Sequence, residues 1–144
     1  MAVMDLRLPK VYLASGSPRR RFLLESCGLE VSVLSQDADE TWPTLPLGEA
    51  IEELARRKMA AVEGALPGLV VSADTAVVLD DVGLGKPVDR AQAIETIGLL
   101  AGRAHTVVTG VCVANQSKQV TFNVQTEVWF RPLEDFEIES YVQL

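Results

Sequence analysis

The sequence predicts a single α/β or α+β domain with a mixed β-sheet. The 144 residues suit one domain, and 48% hydrophobic with 23% charged residues is ordinary for a folded globular protein. Short apolar segments alternate with segments of helical periodicity, and no repeat or low-complexity linker separates them. We therefore expect one domain over residues 1–144.

The first elements are predicted to be a strand, a helix and a second strand. Residues 11–13 are apolar, and Ser17 and Pro18 suit the N-cap and the first position of a helix. Gly28 is a typical C-terminal stop for that helix. The alternation of apolar and polar residues over 29–34 then predicts a half-buried strand.

The middle of the chain is predicted to form a helix, a short strand and a hairpin. Residues 48–64 carry an apolar stripe at helical spacing. Residues 69–73 form an apolar strand that we expect to end at Asp74. A further strand over 76–79 and a turn at 80–83 predict the hairpin.

The last third of the chain is predicted to contain two helices around two strands. Asp89 is a suitable cap for a helix over 90–101. Strands are expected over 106–114 and 119–130, joined by a short turn, and a final helix begins near Glu134.

Charge and cysteine content narrow the classes of function. A formal net charge of −7 argues against a protein that binds nucleic acid polymers, which needs a basic face. No apolar run has the length of a signal-peptide core or a membrane span, so we expect a cytoplasmic protein without a membrane partner. Cys27 and Cys112 have no metal-like spacing, and we expect reduced, buried thiols, not a disulfide.

The Ser-Gly-Ser turn before the first helix has the pattern of an anion site. Backbone N–H groups and the positive end of the helix dipole face such a turn. Arg19, Arg20 and Arg21 beside it supply planar cationic donors that suit phosphate oxygens. Basic residues are unfavourable at that end of a helix unless an anion compensates them. We therefore favour a phosphate site over the alternative, a capped helix with a solvated basic first turn.

Lys58 lies on the apolar stripe of its helix, whereas Arg56 and Arg57 take the outward positions. Two interpretations are open for it on spacing alone. The lysine points toward an anionic ligand in a cleft, or it snorkels along the edge of the helix.

Two carboxylates and a further lysine have positions that suit phosphate chemistry. Asp74, at the expected strand end, is either a ligand-binding or catalytic carboxylate or a turn residue bonded to nearby backbone. Glu40 offers a second carboxylate, and hard oxygen ligands suit Mg²⁺ or Mn²⁺. Lys86, in a glycine-flanked turn, offers another cation. Cations for a polyphosphate and carboxylates for a metal are the parts that phosphate-bond hydrolysis needs.

Six short motifs carry a family resemblance. They are Ser15-Gly-Ser-Pro-Arg-Arg20, Asp39-Glu40, Leu54-Ala-Arg-Arg-Lys58, Ser72-Ala-Asp-Thr75, Gly85-Lys-Pro87 and His105-Thr-Val-Val-Thr-Gly110. Together, in this order, they resemble the Maf family of nucleoside triphosphate pyrophosphatases, in the inosine-triphosphatase-like superfamily. The resemblance implies an elongated, curved mixed sheet flanked by helices with a central cleft. It also implies hydrolysis of a nucleoside triphosphate to the monophosphate and pyrophosphate with a divalent cation.

The resemblance also implies a role for each matched residue. Asp74 matches the proton acceptor that activates the attacking water, and Glu40 matches a carboxylate that holds Mg²⁺ or Mn²⁺ together with Asp74. The residues expected to bind substrate are Ser15, Ser17, Arg19, Arg20, Lys58, Thr75 and Lys86. Members that share Arg19 and Thr75 favour dTTP and UTP, so a pyrimidine nucleotide is the expected substrate.

The resemblance stops short at the C-terminus. Family members usually continue past Tyr141 with a Gly-Tyr-Gly-Ile-Gln-Gly-like motif and an apolar strand, whereas this chain stops at Leu144. We therefore expect a C-terminally short domain. A nucleotide-binding regulator linked to division, with little or no turnover, is the alternative to an enzyme. A phosphomonoesterase is a third hypothesis, without a nucleophile motif in its favour. The resemblance also suggests a homodimer.

Overall fold

The computed structural model of the protein describes residues 8–143; residues 1–7 and 144 of the expected domain lie outside the described residues. Ten strands and helices follow one another within this range. They are β1 (Val11–Ala14), α1 (Pro18–Ser26), β2 (Val31–Val33), α2 (Leu47–Ala60), β3 (Leu69–Leu79), β4 (Val82–Leu84), α3 (Arg90–Leu100), β5 (Ala104–Ala114), β6 (Gln119–Trp129) and α4 (Asp135–Val142). Apart from β3, the elements follow the predicted order.

The strands form one mixed sheet, as the sequence predicts. Its order is β2-β1-β3-β5-β6, and β4 pairs with β3 beside this path. β1 is parallel to both β2 and β3, with Val11 opposite Val31 on one side and Leu69 on the other. β4 is antiparallel to β3. Because parallel strands end at the same edge of a sheet, the turn that follows β1 begins beside the middle of β3.

The prediction that a strand ends at Asp74 is wrong. β3 is one strand of eleven residues, and Asp74 lies inside it. The strand changes partner at this point: β1 pairs with it as far as Ser72, and β4 pairs with it from Val77. The backbone therefore stays extended, and alternation of side chains between the two faces lets polar residues sit in the strand without breaking it. Asp74 lies just past the end of β1 instead of at the end of its own strand.

Hydrogen bonds between nearby residues set the start of α1 and of α3 and the end of α2. Ser17 caps α1 as predicted, accepting a hydrogen bond from the Arg20 N–H at 3.4 Å. Asp89 caps α3 through the Gln92 N–H at 2.8 Å. α2 ends at Ala60, four residues before the predicted end, because the chain closes there with a tighter bond from the Val62 N–H to the Met59 carbonyl. Among the described helices, none has both the length and the apolar character to cross a membrane.

Both cysteines are free, as predicted, but only one of them is buried. Cys112 lies in the core beside Ala55, Met59 and Val70. Cys27 is exposed because it caps the C-terminus of α1, a helix without a single buried residue. The expectation of two buried thiols was therefore wrong for Cys27.

The described chain divides into two compact units. One consists of the residues up to Asp74 together with Gly110–Asn123, and the other of Thr75–Thr109 together with the residues from Val124 onward. The first unit contains β1, β2, both helices that follow them, and a core with buried Val11, Leu13, Ile51, Leu54, Ala55 and Cys112. In the second unit, His105 is buried and its ring packs edge-on against Phe130, with centroids 4.9 Å apart.

A buried serine hydroxyl joins β3 to α2 in the first unit. Ser72 is fully buried, and its Oγ donates to the Ala55 carbonyl at 2.7 Å. We expect Ser72→Ala to lower the free energy of unfolding by about 1 kcal/mol, since it removes one buried hydrogen bond. Urea unfolding measures this change. The matched control is Ser26→Ala, which removes an exposed hydroxyl bonded to the Phe22 carbonyl at 2.7 Å and should be nearly neutral. Equal effects of the two substitutions would show that the buried bond adds nothing.

Candidate functional site

The turn between β1 and α1 is built around the buried hydroxyl of Ser15. Ser15 is 7% exposed, and its Oγ accepts hydrogen bonds from the Ser17 N–H at 3.3 Å and from Arg20 Nη1 at 2.8 Å. Ser17 in turn caps the helix. These bonds fix the turn at the N-terminus of α1, the end of a helix whose dipole favours an anion.

Arg20 connects this turn to β3. Its Nη1 also donates to the Ala73 carbonyl at 3.2 Å, so one guanidinium nitrogen holds Ser15 and the middle of β3 together. Burial lowers the pKa of Arg20, and the neighbouring Arg19 adds to this, whereas the negative charge of Asp74 opposes it. The guanidinium remains protonated at neutral pH because its ordinary pKa is so high. Arg20 therefore stabilises the turn through hydrogen bonds and also keeps a positive charge there.

Lys58 enters the same place from α2. Its side chain is 16% exposed, and Nζ lies 3.4 Å from Glu40 Oε1 and 3.6 Å from Asp74 Oδ1. The ammonium also donates to the Ala73 carbonyl at 3.4 Å, the same oxygen that Arg20 bonds. Of the two interpretations left open by the sequence, snorkelling along the helix edge does not describe this geometry, since the charged end points inward at two carboxylates.

Glu40 and Asp74 lie on either side of one ammonium group. Asp74 is 21% exposed and lies on β3, whereas Glu40 is 71% exposed on the segment before α2. Both carboxylates approach the Lys58 ammonium, so their negative charges lie close together. A metal cation would bind at this position. Two hard oxygen donors fit Mg²⁺ or Mn²⁺, whose remaining positions are commonly filled by substrate phosphates and water. Within the described residues there is no cluster of three or more His, Cys, Asp or Glu side chains suited to a metal.

The segment that carries Glu40 is held by Arg57, a contact that sequence reasoning missed. Arg57 was predicted to point outward, yet its side chain is 29% exposed and its Nη1 donates to the carbonyls of Thr41, at 2.7 Å, and Asp39, at 3.3 Å. Asp39 Oδ1 accepts the Thr41 N–H at 2.9 Å. Hydrogen bonds from Thr41 lower the pKa of Asp39, with a smaller contribution from the charge of Arg57.

Gln36 is a second residue that the sequence did not single out. Its Nε2 donates to the Ala14 carbonyl at 2.9 Å, at the end of β1, and its Oε1 is buried without a hydrogen-bond partner in the part of the chain that the structure describes. The sequence carries no local sign of this contact, because it joins residues 22 positions apart in a segment without helix or strand.

The remaining predicted site residues have different surroundings. Arg19 is exposed on the first turn of α1, and no described residue forms a hydrogen bond or ion pair with it. Thr75 follows Asp74 on β3 and belongs to the second unit, where its hydroxyl lies 3.0 Å from that of Thr109. Lys86 is exposed in the loop after β4, also in the second unit, in a depression that Gln92 helps to line.

In the first unit the structure therefore brings together six of the predicted site residues. They are Ser15, Ser17, Arg20, Glu40, Lys58 and Asp74. Partly buried cations beside a helix N-terminus can bind phosphate oxygens, and a carboxylate beside them can accept a proton from water. This combination has the parts required for hydrolysis of a phosphoric anhydride.

Comparisons with known proteins agree with this chemistry. A family model described as Maf-like protein matches residues 10–144. A dTTP/UTP pyrophosphatase from Pelotomaculum thermopropionicum is 45% identical over 139 residues, which is 94% of this chain and 73% of that protein. A dTTP/UTP pyrophosphatase from Desulforamulus reducens is 44% identical over 138 residues, or 92% of this chain and 71% of the relative.

A solved structure supports the fold independently of these sequences. A HAM1 protein from Coxiella burnetii superimposes with a TM-score of 0.54 at 15% sequence identity, covering 83% of this chain and 72% of that one. At that identity the likeness concerns the fold alone. It agrees with the mixed α/β sheet predicted from the sequence.

Proposed function

The chain belongs to the Maf family, and from that membership we propose that it hydrolyses dTTP or UTP to the nucleoside monophosphate and pyrophosphate. The proposal draws on two relatives named dTTP/UTP pyrophosphatase that share 45% and 44% of their aligned residues with this chain. Both alignments cover more than nine-tenths of the chain. The bond that breaks is the anhydride between the α- and β-phosphoryl groups.

The observation that carries the proposal is the position of Lys58. Its ammonium lies within 3.6 Å of both Glu40 and Asp74 and donates to the same carbonyl as Arg20. A purely structural lysine of this helix would reach solvent. A lysine held instead among carboxylates, beside an anion-binding turn, suits a triphosphate whose oxygens carry several negative charges.

The site residues of the first unit have different roles in the proposed reaction. Arg20 keeps the turn closed, which leaves the exposed guanidinium of Arg19 at the N-terminus of α1 to bind phosphate oxygens. Lys58 offsets the negative charge that develops on those oxygens as the anhydride breaks. Asp74 accepts a proton from the attacking water.

Glu40 and Asp74 would hold a divalent cation, Mg²⁺ or Mn²⁺. Two observations support this: both groups are carboxylates, the ligands that such cations prefer, and both lie within 3.6 Å of one ammonium group. When bound, such a cation neutralises phosphate charge and orients the substrate. Lys58, whose ammonium lies near both carboxylates, would then be available to the substrate phosphates.

The finer assignments depend on residues that match the family pattern. Arg19 and Thr75 match the family members that favour a pyrimidine base, and Lys86 matches a family residue that holds substrate phosphates. A free nucleotide as substrate fits a cytoplasmic protein without a nucleic acid polymer as partner. A homodimer is part of the same proposal.

The test is a screen of nucleoside triphosphates that separates pyrophosphate from orthophosphate. We expect pyrophosphate from dTTP and UTP in the presence of Mg²⁺ or Mn²⁺, and none after chelation with EDTA. Nucleotide binding without hydrolysis would favour the regulator that the sequence left open. Orthophosphate as the first product would favour a phosphomonoesterase.

Removal of the Glu40 carboxylate should weaken metal activation. We expect Glu40→Gln to raise the half-activating Mn²⁺ concentration by about tenfold or more, because a neutral amide is a poorer ligand for a hard cation. Steady-state rates against Mn²⁺ concentration measure the change. The control is Asp37→Asn, an exposed acidic residue three positions away, which should leave the curve unchanged. The same Mn²⁺ dependence in Glu40→Gln and the wild type would remove Glu40 from the metal site.

A further inference from the structure

We propose that Arg57 is a positioning residue, which fixes the backbone around Glu40 so that its carboxylate faces Lys58 and Asp74. The inference rests on the proposed function, because Glu40 acquires its role there. Arg57 itself does not touch the carboxylate that it positions.

One guanidinium nitrogen bonds the backbone on both sides of Glu40. Nη1 of Arg57 donates to the carbonyl of the residue before, Asp39, at 3.3 Å and to that of the residue after, Thr41, at 2.7 Å. The Asp39 carboxylate closes the same turn by accepting the Thr41 N–H at 2.9 Å. The carbonyl groups of the residues on either side of Glu40 are therefore bonded to a single side chain of α2.

Arg57 is held in place by its own helix. Its Nε lies 3.5 Å from Glu53 Oε1, one turn earlier on α2, and its side chain is 29% exposed. The next residue on the helix is Lys58, whose ammonium is the partner of Glu40. Two adjacent helical positions thus set both members of the pair: one places the lysine, and the other places the segment that carries the glutamate.

Glu40 has little else to fix its position. Residues 34–46 form neither helix nor strand, and the Glu40 side chain is 71% exposed with Lys58 as its ion-pair partner. A segment of this kind samples many backbone conformations unless side chains restrain it, and each residue left free costs entropy when a ligand orders it. Loss of the Arg57 bonds would therefore weaken any cation site to which Glu40 contributes.

Arg56 supplies a matched control. It carries the same charge on the same helix, and among the described residues its Nε pairs with Glu53, at 3.3 Å. Arg56→Ala therefore removes this ion pair and leaves the contacts of Arg57 with residues 39–41 in place. Exposed pairs of this type contribute little to stability. Both variants lose an ion pair with Glu53, and Arg57→Ala additionally loses the contacts with residues 39–41 that are under test.

The first measurement is amide hydrogen exchange at residues 39–42 in the protein without nucleotide. We expect faster exchange there in Arg57→Ala than in the wild type, and unchanged exchange in Arg56→Ala. Exchange at these amides in Arg57→Ala that matches Arg56→Ala would overturn the inference, whatever the activity. Arg57→Lys, which keeps a donor near both carbonyls, should lie between the wild type and Arg57→Ala.

The second measurement is Mn²⁺ binding by titration calorimetry, again without turnover. We expect Arg57→Ala to weaken binding by about tenfold, the size of effect seen when a group that orients a ligand is lost, and Arg56→Ala to leave it unchanged. Weak Mn²⁺ binding in both variants would contradict the inference. If the proposed function is wrong, the wild type itself will release no pyrophosphate. The hydrogen-exchange rates at residues 39–42 will still show whether Arg57 restrains the segment.

Discussion

Asp74→Asn should lower the rate of pyrophosphate release by about 10²- to 10⁴-fold while the protein still binds dTTP. Asparagine has almost the same shape, and its carbonyl oxygen can still face Lys58, so the packing of β3 is preserved. It cannot accept a proton from water, and it is a weaker ligand for a divalent cation. The substrate should bind as well as before, because the change removes a negative charge beside the triphosphate.

The measurement is pyrophosphate release under saturating dTTP, together with nucleotide binding by calorimetry. Asp81→Asn is the control: it makes the same change in an exposed turn residue with φ of 63°, a conformation that asparagine tolerates. Undiminished turnover in Asp74→Asn would end its assignment as proton acceptor. A simultaneous loss of nucleotide binding would indicate a structural role instead.

Features that depend on neighbouring residues were predicted correctly from the sequence. The Ser17 cap, the Gly28 stop after α1 and the Asp89 cap of α3 are chemical relations within three or four residues. For Lys58, the period of its helix put the residue on the apolar stripe but left two interpretations open, a lysine that points toward an anionic ligand and one that snorkels along the helix edge. Local periodicity alone therefore did not decide where its ammonium lies.

Features that depend on distant residues were missed. β3 continues through Asp74 because two different strands pair with its two halves, and neither pairing is visible in the segment itself. Arg57 was assigned to the solvent side by helical spacing, yet an irregular segment 16 to 18 residues earlier folds back onto it. Helical spacing predicts the direction in which a side chain leaves its helix, but it does not predict which distant residues of the chain contact that side chain.

Gly110→Ala should be strongly destabilising, lowering the free energy of unfolding by about 2–3 kcal/mol and the melting temperature by about 10 °C. Gly110 lies on β5 directly beneath α2. A Cβ atom at this position would lie 2.4 Å from the Ile51 carbonyl oxygen and 2.7 Å from its carbon. Both atoms belong to the helix backbone, so no side-chain rotation relieves the clash and α2 as a whole must move.

The same movement should reduce activity, because α2 carries Lys58 two turns after Ile51. Gly48→Ala is the informative comparison, since a Cβ there would meet the Asn123 side-chain amide at 3.0 Å, and a side chain can shift. We expect that variant to change stability by less than about 1 kcal/mol, partly offset by the better helix propensity of alanine. Thermal unfolding of both variants, with pyrophosphate release measured well below the transition, separates loss of the fold from displacement of Lys58. If Gly110→Ala were as stable and active as Gly48→Ala, the close packing of α2 on β5 could not be what places Lys58 beside Asp74.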